Sequence, residues 1–188
     1  MPGRHICGQT AGIEIARAMR GGIGSASVRA GGFTVGALVA VNALGDVIDP
    51  ASGRPVAGAR TTDGSRLLGT MAAMLAGELP APFQPGAATT LGVIATDAQL
   101  TKAQANKIAQ MAHDGLARSI NPVHTLGDGD TLFALGTGAA GRTTNITLLG
   151  SLAADVTARA VVNAVRAARR LAGPGLPDLP SLHDLRAP

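Results

Sequence analysis

A strand followed directly by a capped helix is the feature that most constrains what this chain can fold into. LGVIATDA, residues 91–98, is an apolar run of strand length that follows a Pro/Gly-rich loop. Thr101 and Gln104 then form a capping box, which predicts the start of a helix. Apolar residues recur at helical spacing until Asn121 and Pro122, where the helix is expected to end. This order of elements predicts a mixed α/β chain.

Further strands and a second long helix are predicted on either side of this unit. Residues 24–49 predict two strands joined at Gly31 and Gly32, the second with apolar and small residues on both faces, so a buried hairpin is expected. Residues 130–138 predict another strand. A helix is expected over 146–172, because Leu, Val and Ala recur at helical spacing and a Gly-Pro pair follows.

The size and composition of the chain bound the rest of the fold. A chain of 188 residues is expected to form one domain, 1–188, with residues 173–188 as a Pro-rich tail that is either loosely ordered or a strip that docks a partner. Aromatic residues make up only 2% of the chain, with no Trp or Tyr, and there are 26 glycines. The core must therefore be built from Ala, Val, Leu and Ile, with close approaches at glycine.

Charge, hydropathy and cysteine content argue against several classes of protein. A net charge of +4 would suit a nucleic-acid partner. The arginines are scattered, however, and no aromatic residues interleave them, so no nucleic-acid partner is predicted. No stretch reaches about 18 uninterrupted apolar residues and the start has no signal-peptide pattern, so no membrane contact is expected. The single Cys7 offers no internal disulfide, and a cytoplasmic location is expected.

Neither the glycine motifs nor the histidines predict a cofactor or a metal. GTGAAG, residues 136–141, matches a dinucleotide fingerprint, but in a chain this rich in glycine a plain tight turn is favoured. GGIGSAS, residues 21–27, lacks the Lys-Ser/Thr ending of a phosphate loop and is interpreted as close backbone packing. The four histidines show no ligand spacing. Asp128 and Asp130 would either bind Ca²⁺ or make a turn, and the turn is favoured.

Two adjacent threonines, Thr89 and Thr90, stand at the seam between a Pro/Gly-rich loop and the strand that follows. In the simpler interpretation, Thr89 caps the loop and Thr90 is an ordinary β-branched strand residue. In the chemical interpretation, the hydroxyl attacks the preceding carbonyl, the acyl group moves from nitrogen to oxygen, and hydrolysis frees a new N-terminus. The freed α-amine, with a pKa of about 7.7 to 8.0, is a base beside its own hydroxyl. Spacing alone favours the simpler interpretation.

Four segments of the chain resemble one known family. They are GGIGSAS (21–27), TVGALVAVNALGDVIDP (34–50), TTLGVIATDAQLTKAQANKIAQMAHDGLARSINPVHT (89–125) and DGDTLFALGTG (128–138). With the ATDA and DGDT signatures in this order, the chain resembles the DmpA-type aminopeptidases, also called L-aminopeptidase/D-esterases, which include nylon-oligomer endohydrolases. The resemblance implies a layered α/β sandwich with helices flanking central β-sheets, and a homo-oligomer of processed subunits.

The resemblance also implies a nucleophile and a reaction. The family nucleophile lies six residues before the alanine of ATD, which is Thr89 in this sequence. Self-cleavage between Ala88 and Thr89 is then implied, giving fragments 1–88 and 89–188. The implied activity is that of an N-terminal-nucleophile hydrolase, which cleaves short peptides or amides through an acyl-enzyme on Thr89 and uses no cofactor.

Three further residues match family positions beside the nucleophile. Asn42 is implied to donate its side-chain amide to the developing oxyanion. Asp128 and Asp130 are implied to orient the Thr89 amine and to tune its charge.

The chain departs from the family pattern in three respects. It resembles only the C-terminal part of a family member, so a truncation at the N-terminus is expected. A family lysine expected before GGIGSAS has no match, because Ile13 stands nearest to its position. Ala88 stands where related chains carry Asn or Gly. The alternative function is therefore a catalytically inactive, truncated paralogue with a structural or interaction role.

Overall fold

The computed structural model describes residues 6–7, 17–77 and 88–185. The helices are α1 Thr70–Leu75, α2 Lys102–Ser119 and α3 Ile146–Ala167, and a 3-10 helix covers Leu182–Leu185. The strands are β1 Ile6–Cys7, β2 Met19–Arg20, β3 Gly22–Ala30, β4 Phe33–Val41, β5 Asp46–Asp49, β6 Arg54–Ala57, β7 Leu91–Thr96, β8 Ile120–Asn121, β9 Thr131–Gly136, β10 Leu171–Gly173 and β11 Leu176–Leu179.

The main sheet has four strands in the order β3-β4-β7-β9. β3, β4 and β7 are antiparallel neighbours, whereas β7 and β9 are parallel. A parallel pair needs a crossover connection, and α2 supplies it between β7 and β9. A smaller sheet has the order β6-β5-β8, while β1 pairs with β2 and β10 with β11. The expected α/β fold class is confirmed.

Helices α2 and α3 lie against one face of the main sheet and against each other. Val39 on β4, Ile94 on β7, Leu116 on α2 and Val161 on α3 are buried in the layer between them. By length and composition alone, α3 is apolar enough to span a membrane, but 67% of its most apolar stretch is buried within the described part of the chain. This burial is typical of the core helix of a folded domain.

The opposite face of the main sheet is apolar and exposed in this chain. Ile23, Leu38 and Phe133 are 57%, 54% and 61% exposed. We call this surface the outer sheet face; its exposed apolar side chains are Ile23, Leu38, Leu91, Val93, Phe133 and Leu135. The expectation of a hairpin buried on both faces is therefore wrong. Alternate residues of β4 point to opposite faces of the sheet, and α2 and α3 cover only one of them.

The glycines of segment 21–27 let β3 approach α3 closely. A Cβ built on Gly24 would lie 2.2 Å from the carbonyl oxygen of Ala160 and 2.3 Å from the nitrogen of Ala164. No side chain can occupy that position while helix and strand keep this separation. The interpretation of GGIGSAS as close backbone packing is confirmed.

The predicted helix start and the predicted turn are also confirmed. The Thr101 hydroxyl accepts from the Gln104 N–H at 3.3 Å, and the Gln104 side chain accepts from the Thr101 N–H at 2.9 Å. Gly31 and Gly32 join β3 to β4 with φ values of 60° and 77°, which glycine adopts without steric cost.

The C-terminal region differs from the sequence-based expectation in two respects. The helix predicted over 146–172 ends at Ala167, because Ala168 takes up an extended backbone and the chain then enters β10. The tail 173–188 was expected to be loosely ordered. It instead contains β11, which pairs with β10 and ends at the fully buried Leu179.

Candidate active site

Three strand ends meet at one edge of the main sheet and bring the sequence-predicted residues together. Because β7 is antiparallel to β4 and parallel to β9, the end of β4 lies beside the starts of β7 and β9. Leu91 pairs with Ala40 on one side and with Thr131 on the other. Extending this register by two residues places Thr89 between Asn42 and Gly129.

Backbone hydrogen bonds hold Thr89 at this position. Its N–H donates to the carbonyl oxygen of Asn42 at 2.7 Å, and its hydroxyl donates to the carbonyl oxygen of Ala88 at 2.6 Å. The Gly129 N–H donates to the same Ala88 oxygen at 2.9 Å. The carbonyl of the bond between Ala88 and Thr89 is therefore polarised by a backbone donor and lies beside a hydroxyl.

The two aspartates flank Gly129, which lies directly against the Thr89 hydroxyl. A Cβ built on Gly129 would be 2.8 Å from the Thr89 Oγ1 atom. Asp130 Oδ1 accepts from the Thr90 N–H at 2.7 Å, so this carboxylate holds the backbone just after Thr89.

The Asp128 carboxylate has a different partner. Its Oδ2 accepts from the Thr125 N–H at 2.8 Å, and the Asp128 N–H donates to the Thr125 carbonyl oxygen at 3.1 Å. These two bonds close a turn, which is the interpretation of GDGD that the sequence favoured. Asp128 thus shapes the loop that carries Gly129, and its backbone forms a bridge with Ala88.

Burial separates the two threonines of the seam. Thr90 is fully buried, whereas Thr89 is half-buried. The Thr90 hydroxyl has no hydrogen-bond partner among the described residues. Thr89 is therefore the more exposed member of the pair.

Two histidines beside Asp130 were missed by the sequence-based reasoning. His124 Nδ1 lies 3.0 Å from Asp130 Oδ2, and the ring centroids of His124 and His113 are 4.9 Å apart. Burial lowers the pKa of His113, and the charge of His124 lowers it further. His113 lies on α2 and His124 on the loop before β9, so ligand spacing had no way to pair them. The signal in the sequence was the position of His124, four residues before the GDGD aspartates begin.

Two further sequence-based interpretations concern a metal site and the glycine loop 136–141. No three His, Cys, Asp or Glu side chains there lie close enough together to hold a metal ion. In the loop 136–141, the Gly141 N–H donates to the Gly138 carbonyl oxygen at 2.9 Å, which closes a tight turn. Ile13, the position nearest to the absent family lysine, lies outside the described residues.

Comparison with known proteins identifies the family. Residues 8–176 match peptidase family S58. The chain belongs to this family. An uncharacterized aminopeptidase of Mycobacterium tuberculosis (strain ATCC 25618 / H37Rv) is 41% identical, over 84% of this chain and 51% of that protein. The 6-aminohexanoate-oligomer endohydrolase of Kocuria sp. (strain KY2) is 32% identical, over 77% of this chain and 44% of that protein.

Solved structures share the fold of this S58 chain. A Burkholderia sp. beta-aminopeptidase has a TM-score of 0.58 and 28% identity, over 94% of this chain and 50% of that one. The L-aminopeptidase D-Ala-esterase/amidase of Ochrobactrum anthropi has a TM-score of 0.60 and 22% identity, over 92% of this chain and 49% of that one. Its structure is described as a variant of the Ntn hydrolase fold. The resemblance to DmpA-type aminopeptidases is confirmed. The chain spans about half the length of the relatives that it matches.

Proposed function

We propose that this chain contains the nucleophile of an amide-bond hydrolase, and that Thr89 acts as an N-terminal nucleophile. The observation that carries the proposal is the position of the Thr89 hydroxyl, 2.6 Å from the carbonyl oxygen of the bond that would be cleaved. Membership of a peptidase family supports the reaction class. The names of relatives, an aminopeptidase and an oligomer endohydrolase, support amide substrates.

Self-cleavage begins when the Thr89 hydroxyl oxygen adds to the carbonyl carbon of Ala88. The Gly129 N–H, 2.9 Å from the Ala88 oxygen, stabilises the negative charge that develops there. The C–N bond then breaks, the hydroxyl proton ends on the nitrogen, and an ester joins Ala88 to Thr89 Oγ1. Water hydrolyses this ester, leaving a carboxylate on Ala88 and a free amine on Thr89.

Turnover uses the amine that cleavage creates. The Thr89 nitrogen, held at 2.7 Å from the Asn42 carbonyl oxygen before cleavage, takes the proton of the Thr89 hydroxyl. The oxygen attacks the substrate carbonyl, the protonated amine donates to the leaving nitrogen, and water hydrolyses the acyl ester. In this scheme the Asn42 amide donates to the oxyanion, and Asp128 and Asp130 hold the loop and backbone around Thr89.

The remaining parts of the proposal concern substrate, assembly and location. We propose short peptides or amides as substrates, because Thr89 is only half-buried and one relative is named a 6-aminohexanoate-oligomer endohydrolase. We also propose a homo-oligomer in the cytoplasm, which size-exclusion chromatography with light scattering and cell fractionation would test.

Two matched variants test which threonine acts. Val has the shape of Thr without the hydroxyl, so Thr89→Val removes the proposed nucleophile and Thr90→Val removes only the neighbouring hydroxyl. Mass spectrometry of the purified wild-type chain is expected to show fragments 1–88 and 89–188, with turnover of an aminoacyl p-nitroanilide. Thr89→Val is expected to stay intact and inert, whereas Thr90→Val is expected to behave as wild type, because its hydroxyl has no hydrogen-bond partner among the described residues.

Two outcomes would contradict the proposal. A folded wild-type chain that stays intact and inert after long incubation would favour the alternative of an inactive paralogue with a structural or interaction role. Loss of cleavage in Thr90→Val with normal cleavage in Thr89→Val would identify Thr90 as the nucleophile and refute the assignment of Thr89.

A further inference from the structure

His124 has an unusual backbone conformation. Its φ is 56°, and it is the one residue other than glycine with a positive φ in the described part of the chain. The Cβ of an L-residue makes this left-handed region unfavourable. Such conformations persist where other contacts of the residue fix them, and they concentrate at functional sites. The backbone conformation of His124 is therefore a reason to ask what its side chain contacts.

The side chain of His124 contacts a buried carboxylate. The Asp130 side chain is only 3% exposed, and its Oδ2 lies 3.0 Å from His124 Nδ1. This is an ion-pair distance, and Oδ2 has no hydrogen-bond partner among the described residues, so His124 is the polar group that faces it. His113, whose ring packs against His124, supports the ring from α2. A buried charge of this kind is costly without such a partner.

The other oxygen of Asp130 reaches the proposed nucleophile. Asp130 Oδ1 accepts from the Thr90 N–H at 2.7 Å. That N–H belongs to the planar peptide unit that also contains the Cα and carbonyl of Thr89. Asp130 therefore fixes the orientation of Thr89 on its C-terminal side, while the Asn42 carbonyl holds its nitrogen on the other side.

We propose that His124 is a positioning residue for Thr89, acting through Asp130. Its Nδ1, 3.0 Å from Oδ2, restrains the Asp130 carboxylate, whose Oδ1 accepts from the Thr90 N–H and so restrains the peptide plane between Thr89 and Thr90. The catalytic part of this inference rests on the proposed function. The structural part, that His124 restrains the Thr90 amide, stands independently of it.

Two substitutions separate the side chain of His124 from its backbone. Glycine adopts a φ of 56° without strain, so His124→Gly removes only the side chain. Asparagine is the L-residue that tolerates this region best, and its Nδ2 lies as many bonds from Cα as Nδ1 does in histidine. His124→Asn therefore keeps both the backbone and a donor for Asp130.

The first measurement does not depend on activity. Amide hydrogen exchange of Thr90, followed by NMR in a Thr89→Val background that stays uncleaved, is expected to be faster in His124→Gly and close to the parent in His124→Asn. The second measurement is the rate of appearance of fragment 89–188, with kcat and KM for an aminoacyl p-nitroanilide. His124→Gly is expected to lower the cleavage rate and kcat by about 10- to 100-fold with KM nearly unchanged, because the nucleophile is misoriented. His124→Asn is expected to restore most of that loss.

The outcomes distinguish the two proposals. Unchanged Thr90 exchange in His124→Gly, or equal rates in His124→Gly and wild type, would overturn the positioning role. His124→Asn as slow as His124→Gly would overturn the role of the polar contact between the side chain at position 124 and Asp130. A wild-type chain that neither cleaves nor turns over substrate, with Thr90 exchange responding as expected, would refute the proposed function and leave the contact between His124 and Asp130 as a structural restraint.

Discussion

Substituting Gly24 with alanine tests whether the backbone contact between β3 and α3 is as tight as the structure indicates. The added methyl group would lie 2.2 Å from the Ala160 oxygen and 2.3 Å from the Ala164 nitrogen. Ordinary contacts begin at about 3.5 Å, so helix and strand must separate by about 1 Å. The obstructing atoms are helix backbone, which cannot rotate away as a flexible side chain does.

The size of the effect follows from what α3 would lose by moving. Overpacking in a core costs about 1–3 kcal/mol, and a gap of 0.5–1 Å forfeits about a quarter to a half of each contact it opens. Ala160, Val161 and Ala164 are fully buried near this contact. We therefore expect Gly24→Ala to lower the free energy of unfolding by about 3 kcal/mol, and the Tm by about 6–12 °C.

Gly36 provides the matched control on the neighbouring strand. A Cβ there would lie 3.6 Å from the Ala26 oxygen and 3.6 Å from the Ser27 Cβ, which is ordinary contact. Gly36→Ala is expected to change stability by less than about 0.5 kcal/mol, or to gain up to about 1 kcal/mol by restricting the unfolded chain. Urea unfolding followed by far-UV circular dichroism measures both variants. A loss in Gly24→Ala no larger than in Gly36→Ala would refute the reasoning.

Two further substitutions test the outer sheet face and a buried carboxyl. Leu38→Ser, on the outer sheet face, is expected to change the free energy of unfolding by less than about 0.5 kcal/mol and to lower binding of an apolar dye. Val39→Ser, on the buried face, is expected to lower the free energy of unfolding by about 2–4 kcal/mol. Equal losses in the two variants would contradict the assignment of the two faces. Burial raises the pKa of Asp46 above 3.8, against the opposing effect of hydrogen bonds from Thr70 and Ala59. The folded state therefore holds this proton more tightly, so the stability that Asp46 contributes is present below pH 3.8 and is lost as the pH rises through its folded pKa. Urea unfolding between pH 3 and 7 is expected to show wild type losing stability relative to Asp46→Asn as the pH rises, and a constant difference would refute it.

Local sequence signals correctly predicted those element boundaries that are set by contacts between residues close together in the chain. The Thr101 hydroxyl and the Gln104 side chain cap α2 as expected, because both partners lie within one turn of the chain. The predicted C-terminal end of α3 was wrong, because helical spacing continues past Ala167 while the chain itself becomes extended at Ala168 and enters β10. Arg170 donates to both oxygens of Asp178, at 2.8 and 2.6 Å, across the β10–β11 pair. Spacing within one segment carries no information about such a partner.

The candidate site also has a part that the sequence predicted and a part that it did not. Thr89, Asn42, Asp128 and Asp130 were named through a resemblance, and the structure brings all four to one sheet edge. His124 was not named, because its φ and its contact with Asp130 are properties of the folded loop. The outer sheet face was mispredicted for a related reason: apolar residues such as Leu38 indicate that a surface tends to be covered, but they do not say whether this chain covers it.

The geometry of the seam follows from the β7–α2–β9 crossover. Thr90 and Asp130 are 40 residues apart in sequence, yet their hydrogen bond is 2.7 Å long. α2 returns the chain over the sheet so that β9 runs parallel to β7, and parallel neighbours start at the same edge. A loop that precedes β9 is thereby set beside the residue that precedes β7.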